Sequence, residues 1–477
     1  MKYPKLSILA LSAATVFSAC NSKLDIKPAD SMEDKDIIKE SNVRYLANGM
    51  YERAQEMEYY GRDFMVVTDL TGNDMKITAS NSNRFLFEFQ YLFTPLTASQ
   101  SLTWQNAYRV VNQANVILYK LPETDATKPY RGEAYFMRAL ANFDLVRRYT
   151  KPYSLVKDKA DAANTGIPLV LRALEQTEVP AFKPSRATLN QTYDAIISDL
   201  KAAQTVAPQS KPSTDGVFRA SQDAASALLT RAYLYKEDWQ NVIKEATPLI
   251  QKYALWSGAD YLANFTSGNA TAEDIFTLRF LTLENRGANN FGYIYLPNDG
   301  SSTGGYGDIR LTDNFMAQLD PADIRKGAIK TYSGSNYLMK WVGNGLGLTG
   351  MTNVKVLRIS EVLLNRAEAY AESGALQQAV DDINSLRAKR GLAAFTDMSA
   401  DGIKAEIIKE RRLELVGEGF GATDLFRKKG KRSIKDNNAI LSQTPDINYD
   451  NDRVAFPIPQ TEIDANPNIV QNPGYNK

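Results

Sequence analysis

The sequence predicts a mainly α protein: a scaffold of paired helices interrupted by long, loop-rich insertions that contain short β-strands. Three observations carry that expectation. Nine segments repeat apolar residues at a three-to-four spacing. Two pairs of those segments share a small-aromatic dipeptide followed by a tight turn. The stretches between them concentrate Gly, Asn, Ser and aromatic residues, the composition of loops and short strands.

The first helix is expected over residues 36–56, where Ile37, Ile38, Val43, Leu46 and Met50 share a side. A second is expected over 102–119, with Leu102, Ala107, Val110, Val111, Ala114, Ile117 and Leu118, and a third over 131–148, with Ala134, Met137, Ala141, Leu145 and Arg148. The alanines let neighbouring helices approach closely, as in a stacked array. Further helices are expected at 188–204, 220–235, 239–252, 358–373, 376–390 and 402–416, separated by Gly, Pro and charged turns. Ala232-Tyr233 is followed by Lys236-Glu237-Asp238-Trp239 and Ala246; Ala369-Tyr370 is followed by Gly374, Leu376 and Ala379. Both resemble the tetratricopeptide pattern, so the helix-pair scaffold is expected to be tetratricopeptide-like, with hairpins at 102–148 and 188–252 extending the same layer.

Two insertions interrupt it. The first carries Phe64-Met65-Val66-Val67 and then Phe85-Leu86-Phe87-Glu88-Phe89, and the alternation of Phe85, Phe87 and Phe89 suits the inward face of a strand. The second holds most of the Gly-rich sequence, with a strand expected at Ile275-Phe276-Thr277-Leu278-Arg279-Phe280 and a loop over 287–308. Segments too long to be ordinary connections are where binding surfaces tend to sit.

Composition narrows the chemistry. The chain has 477 residues, 23% of them charged, and Lys plus Arg (56) balances Asp plus Glu (55), so no global field attracts a polyanion and nucleic acid is a poor partner. There is no histidine, which removes the Ser-His-Asp triad, the Cys-His pair and the HExxH metal site. Asp299-Gly300-Ser301-Ser302 and Asp320-Pro321-Ala322-Asp323 lack calcium-loop spacing, and the glycines at 343, 345 and 347 lack the Lys-Ser/Thr ending of a phosphate loop, so no metal or cofactor is expected. The single cysteine ends an N-terminal pattern. Lys2 and Lys5 precede an apolar run from Leu6 to Phe17, too short to span a bilayer, which closes in Phe17-Ser18-Ala19-Cys20. This resembles a bacterial lipoprotein signal, with cleavage before Cys20 and acylation of its side chain.

The carboxy-terminal half carries a more specific likeness. Arg358-Ile359-Ser360-Glu361-Val362-Leu363-Leu364-Asn365-Arg366-Ala367-Glu368-Ala369-Tyr370, Ile383-Asn384-Ser385-Leu386-Arg387, and Ile408-Lys409-Glu410-Arg411-Arg412-Leu413-Glu414-Leu415 with Glu418-Gly419 and Asp424-Leu425 resemble the SusD/RagB family of outer-membrane nutrient-binding lipoproteins. So do Phe456-Pro457-Ile458-Pro459, Asn466-Pro467-Asn468-Ile469, Trp104 with Tyr108, and Glu133-Ala134-Tyr135-Phe136-Met137-Arg138-Ala139. The resemblance implies a non-enzymatic, lipid-anchored protein on the outer membrane of Bacteroidetes-type bacteria, facing the cell exterior. It implies a SusC/RagA-like TonB-dependent transporter as partner and a glycan, or in some members a peptide, as cargo. The boundaries expected are a signal peptide over 1–19, a lipidated tether over 20–36 and one SusD-like domain over 37–477. Within that domain the helical scaffold occupies 37–56, 101–255 and 355–425, the insertions 57–100 and 256–354, and an irregular C-terminal segment 426–477. One departure stands out: Gly421 and Ala422 occupy positions where the family usually has Arg and a large aromatic residue, so packing there is expected to differ.

Sugar recognition favours aromatic faces bracketed by Asn, Asp or Arg hydrogen bonds. Three clusters fit: Asn73, Asp74, Arg84 and Phe85 with Phe87; Asn290 and Tyr293, with Asn289, Phe291 and Tyr295, leading to Tyr306 and Asp308; and Tyr337 with Trp341. Tyr306 and Trp341, beside Gly-rich turns, are the aromatics expected to be exposed, while Trp104 is expected in the core. Glu410 and Glu414 share a helical face and could serve acid/base chemistry, but Arg411, Arg412, Arg358, Arg366 and Arg387 are available to bind carboxylates between helices. Besides an oligosaccharide-binding protein, the readings left open are a peptide-binding member of the same family, a carboxylate-based glycan hydrolase and a structural surface lipoprotein.

Overall fold

The outer helices bury one face and the central ones bury most of their surface, and the scaffold is built by stacking them. The computed structural model describes residues 38–258, 261–436, 438–440 and 444–475, so the expected signal peptide, Cys20 and the tether lie outside the described residues. Helix α1 spans Val43–Ala54 and buries Leu46, Ala47, Met50 and Ala54. In the first insertion Asp63–Leu70 forms α2, Met75–Ile77 forms strand β1, and Leu86–Phe89 forms the single turn α3. The long helices α4 (Ala98–Lys120) and α5 (Lys128–Tyr149) follow. Helix α6 (Leu189–Val206) starts at a reciprocal capping box, in which the Gln191 amide donates to Thr188 Oγ1 at 3.1 Å and the Thr188 amide donates to Gln191 Oε1 at 3.0 Å. Ser221 caps α7 (Gln222–Tyr235) and Asp238 caps α8 (Trp239–Lys252).

The second insertion holds β2 (Asp274–Leu278), β3 (Ile309–Leu311) and the hairpin β4 (Ile329–Tyr332) and β5 (Ser335–Leu338). Strand β6 (Val354–Arg358) leads back into α9 (Ile359–Glu372), α10 (Leu376–Lys389), α11 (Ala400–Leu415) and the short α12 (Gly421–Arg427). Gly374 and Gly391 follow α9 and α10 with φ of +81° and +77°, the left-handed conformation that ends a helix without a Cβ penalty.

Helix α1 packs on α4, and from α4 to α10 each helix packs on the next, with α11 closing against α9 and α10. This is the expected array of stacked helix pairs. Among the described residues no helix is long and apolar enough to cross a membrane.

Two ribbons attach the insertions. Antiparallel pairing of β2 with β6, from Asp274↔Arg358 to Leu278↔Val354, closes the second insertion onto the scaffold. Pairing of β1 with β3, Met75↔Leu311 to Ile77↔Ile309, joins the first insertion to the second.

A buried charge network sits under the first of these ribbons. Arg390 reaches Glu273 and Glu414, each at 2.8 Å. Arg358 reaches Glu273 at 2.5 Å and Glu418 at 2.8 Å, and Lys340 also holds Glu418, at 2.7 Å. Burial alone would raise the pKa of Glu414, but Arg390, Arg358 and Arg325 hold it well below the usual carboxylate range.

Glu410 and Glu414 are therefore structural, although not through all the arginines expected. Arg325 and Arg390 supply most of the contacts, with Arg358 and Arg387. Arg411 pairs instead with Asp424, Arg412 with Asp74 and Arg366 with Asp382.

One local expectation fails in the first insertion: residues 86–89 make a helical turn, so Phe85, Phe87 and Phe89 do not line a strand, while residues 64–67 lie in helix α2. Phe89 is buried and Phe87 is 62% exposed, because helical rotation, not alternation, distributes them. Gly421 borders a solvent-open cleft, and Ala422 borders a second between α2, α5 and α12.

Candidate functional site

The β1–β3 ribbon brings two distant loops to one place. Its antiparallel register sets Ile77 opposite Ile309, so residues leaving β1 and residues entering β3 emerge at the same end. There the Arg84 guanidinium lies 3.6 Å from the centroid of the Tyr306 ring, a close cation–π contact on a partly exposed face. Tyr306 packs edge-on against Tyr293 at 4.9 Å and donates its backbone N–H to the Tyr293 carbonyl at 2.9 Å.

Asp308 orients the arginine from beneath. It is 2% exposed and accepts from Arg84 Nη1 at 3.3 Å and from Ser82 Oγ at 3.2 Å. Asn83 and Phe85, on either side of Arg84, have φ of +67° and +56°, left-handed conformations that are uncommon for an Asn and strained for a Phe. That backbone turns Arg84 towards Tyr306.

The surface continues on the Phe85 side. Arg62 stacks over Phe85 at 5.5 Å and donates to Asn289 Oδ1 at 3.0 Å. On the other side Arg310 donates to Ser80 Oγ at 2.5 Å and to Ser335 Oγ at 2.8 Å. The result is a strip of flat aromatic and guanidinium groups with amides and hydroxyls along its edges. Such a strip can stack on the apolar face of a sugar ring and hydrogen-bond to its hydroxyls. Its carboxylate, Asp308, is already occupied as an acceptor by Arg84 and Ser82, which suits orientation rather than proton transfer.

Of the candidates read from sequence, Arg84, Phe85, Tyr293, Tyr306 and Asp308 come together here, with Asn289 reached through Arg62. Asn73, Asp74, Asn290 and Trp341 do not. Asn73 and Asp74 lie at the opposite end of the ribbon: Asn73 donates to the Lys431 carbonyl at 2.9 Å and accepts from the Ser433 amide at 2.8 Å, while Asp74 pairs with Arg412. Asn290 is buried and bonds to Asn285 and to the Thr349 carbonyl, fixing its own loop.

Trp341, expected to be exposed, is 0% exposed and packs between Phe265 at 5.6 Å and Phe291 at 5.0 Å. Its partner in the third cluster, Tyr337, is buried too. Phe265 and Phe291 close over Trp341, and the Arg310 guanidinium lies over the Tyr337 ring at 5.5 Å. Trp104 is core, as expected.

Sequence reasoning missed Arg62, Ser82 and Arg310. The polar run Ser80-Asn81-Ser82-Asn83 ahead of Phe85 is a signal that could have found Ser82. The two arginines carry none, because Asn289 lies 227 residues from Arg62 and Ser80 lies 230 residues from Arg310.

Comparison with known proteins covers the whole described chain. The family model described as "SusD family" matches residues 209–475, and one described as "Starch-binding associating with outer membrane" matches residues 23–234. A SusD-like protein of Formosa agariphila is 23% identical over 99% of this chain and 100% of its own length. Among solved structures, a SusD superfamily protein from Bacteroides vulgatus is 28% identical with a TM-score of 0.80, covering 92% of this chain and 100% of that one. Another from Bacteroides thetaiotaomicron is 27% identical with a TM-score of 0.79, covering 91% and 100%.

Proposed function

This chain belongs to the SusD family of outer-membrane nutrient-binding proteins, and on that premise we propose that it captures an oligosaccharide on the Arg84–Tyr306 strip and passes it to a SusC/RagA-like TonB-dependent transporter. Its role is binding, not catalysis. The observation that carries the placement is the Arg84 guanidinium held 3.6 Å above the Tyr306 ring, on a surface made where the two insertions meet. A stacked cation and ring, anchored from below by Asp308, is preorganised, so little conformational entropy is lost when a sugar settles on it. The starch-binding description of one matching family model favours a glycan as the cargo class.

Anchoring to the outer membrane would follow from removal of residues 1–19 and acylation of Cys20, with residues 20–36 as the tether. Incorporation of labelled palmitate that is lost in Cys20→Ala tests that step.

Isothermal titration of the mature protein against oligosaccharide and peptide panels tests the ligand site. Tyr306→Ala and Arg84→Ala should each weaken the bound glycan about tenfold, the loss of one stacking or charge-assisted contact of roughly 1–1.5 kcal/mol. Glycan affinity unchanged in both variants would remove the site from this surface. Binding confined to peptides would replace the ligand class, and turnover of a glycan would overturn the binding role.

A further inference from the structure

The Arg84–Tyr306 strip gathers three guanidinium groups, and the carboxylates that answer two of them lie underneath. Arg84 is met by buried Asp308 at 3.3 Å and Arg62 by buried Asp63 at 2.7 Å. Arg310 differs from both. It is partly exposed and donates to Ser80 Oγ, to Ser335 Oγ and, at 3.4 Å, to the Gly307 carbonyl, all of them neutral acceptors. Among the described residues no carboxylate pairs with it. Charges on the neighbouring segments are engaged elsewhere. Asp299 holds Lys330 at 2.6 Å, and Lys76, across the ribbon from Arg310, turns to Asp313 and Asp436.

The β1–β3 register brings Arg310 to the end of the ribbon where Arg84 stands. Ser80, which accepts from Arg310, and Ser82, which accepts from Arg84, are separated by a single residue; so are Arg310 and Asp308, the carboxylate that binds Arg84. Hydroxyl and carbonyl partners fix the plane of a guanidinium without cancelling its charge, so this end of the strip carries a surplus positive charge. Three of the five N–H groups of Arg310 are engaged, and two are left for a ligand. A neutral sugar would use the ring faces and hydroxyls of the strip and leave that cation unanswered.

Resting on the assignment of this strip as the glycan site, we infer that its cargo is an acidic oligosaccharide, whose anionic group is taken by Arg310 while an adjoining sugar ring stacks at Arg84 and Tyr306. A uronic-acid carboxylate and a sulfate ester share the required chemistry, since each offers a pair of anionic oxygens to the fork of a guanidinium.

Titration calorimetry of the mature protein sets each acidic ligand against its own neutral form: oligogalacturonates and alginate oligosaccharides against their methyl esters, and sulfated galactan oligosaccharides against the desulfated sugars, with maltohexaose as a neutral glucan. The tightest ligand is expected to be acidic, its neutral form to bind about tenfold more weakly, and its affinity to fall severalfold as NaCl is raised from about 0.05 M to about 0.5 M. Tightest binding in the uronate arm assigns the carboxylate, and in the galactan arm the sulfate. Arg310→Gln should reduce the preference for the charged form from about tenfold to about twofold, a ratio that cancels any loss common to both ligands. If that variant does not fold, the wild-type ratio and its salt dependence decide the matter. A neutral glycan that is the tightest ligand and is weakened in Tyr306→Ala would overturn the acidic cargo and keep the strip, as would a charge preference that survives Arg310→Gln in a ligand weakened by Tyr306→Ala. Acidic glycans bound equally well by both variants, or no glycan bound at all, would overturn the strip together with its cargo.

Discussion

Glu414→Gln keeps the side-chain shape and removes its charge, and the structure says what should follow. In the native protein Oε1 accepts from Arg390 Nη2 at 2.8 Å and Arg358 Nη1 at 3.2 Å. Oε2 accepts from Arg390 Nε at 2.9 Å and Arg325 Nη1 at 3.5 Å. A glutamine amide would turn an N–H donor towards at least one guanidinium, setting donor against donor, and would leave Arg390 with Glu273 as its one remaining carboxylate. Removing one partner of a buried, fully satisfied ion network costs about 3–5 kcal/mol. Unfolding entropy of about 2.1 cal/mol/K per residue gives about 0.9 kcal/mol/K over the described residues, so the melting temperature should fall by about 3–5 °C. Scanning calorimetry reads the shift, and titration at the Arg84–Tyr306 strip should show glycan affinity within twofold of wild type. An unchanged melting temperature would refute the energetic reasoning. A folded variant that had lost glycan affinity or a catalytic turnover would refute the assignment of Glu414 as scaffold.

Trp341→Ala should separate core from site in the same way: deleting a fully buried ring between Phe265 and Phe291 costs about 3–5 kcal/mol, and the folded fraction should bind glycan normally, as urea melts paired with titration would show. Stability should also peak near about pH 5, with two sets of carboxylates acting in opposite directions. Burial pushes Asp69 up to about 7 and Asp63 up to about 6, so between the unfolded carboxylate range and those values the folded state binds more protons, and stability falls as pH rises before levelling above about 7. Glu414, Glu418, Glu368 and Asp424 are buried too, but their arginine and lysine partners hold them low; their contribution is present above the unfolded pKa and is lost as the pH drops through the folded one. Melting temperatures from pH 3 to pH 8 test both limbs, and Asp69→Asn should flatten the limb between pH 5 and 7. A monotonic rise to pH 8 would contradict the assignment.

The elements that could be read from sequence are those whose cause is local. Thr188 and Gln191 cap the helix they begin, Gly374 and Gly391 end the helices they follow, and the apolar spacing of residues 102–119 is satisfied within α4. The Arg and Glu positions of the C-terminal half were legible as scaffold for a similar reason: charges repeated along adjoining helices must meet their opposites when those faces are buried. Which arginine meets which glutamate was not, since Arg390 and Glu273 are 117 residues apart.

The candidate site divides along the same line. Arg84, Phe85, Tyr293, Tyr306 and Asp308 could be nominated from residue chemistry, yet the same reasoning nominated Trp341, Asn290 and Asp74. Exposure is settled by what packs on a ring: Phe265 and Phe291 closed over Trp341, while Tyr306, with Arg84 on one face, stays partly exposed. By itself the sequence determined a helical scaffold with two insertions and the family to which it belongs, because periodicity, caps and motifs act within a few residues. Only the tertiary structure decided which of the candidates share one surface, because the pairing of β1 with β3 joins segments more than 200 residues apart, and that register places Arg84 over Tyr306 and leaves Asp74 at the far end.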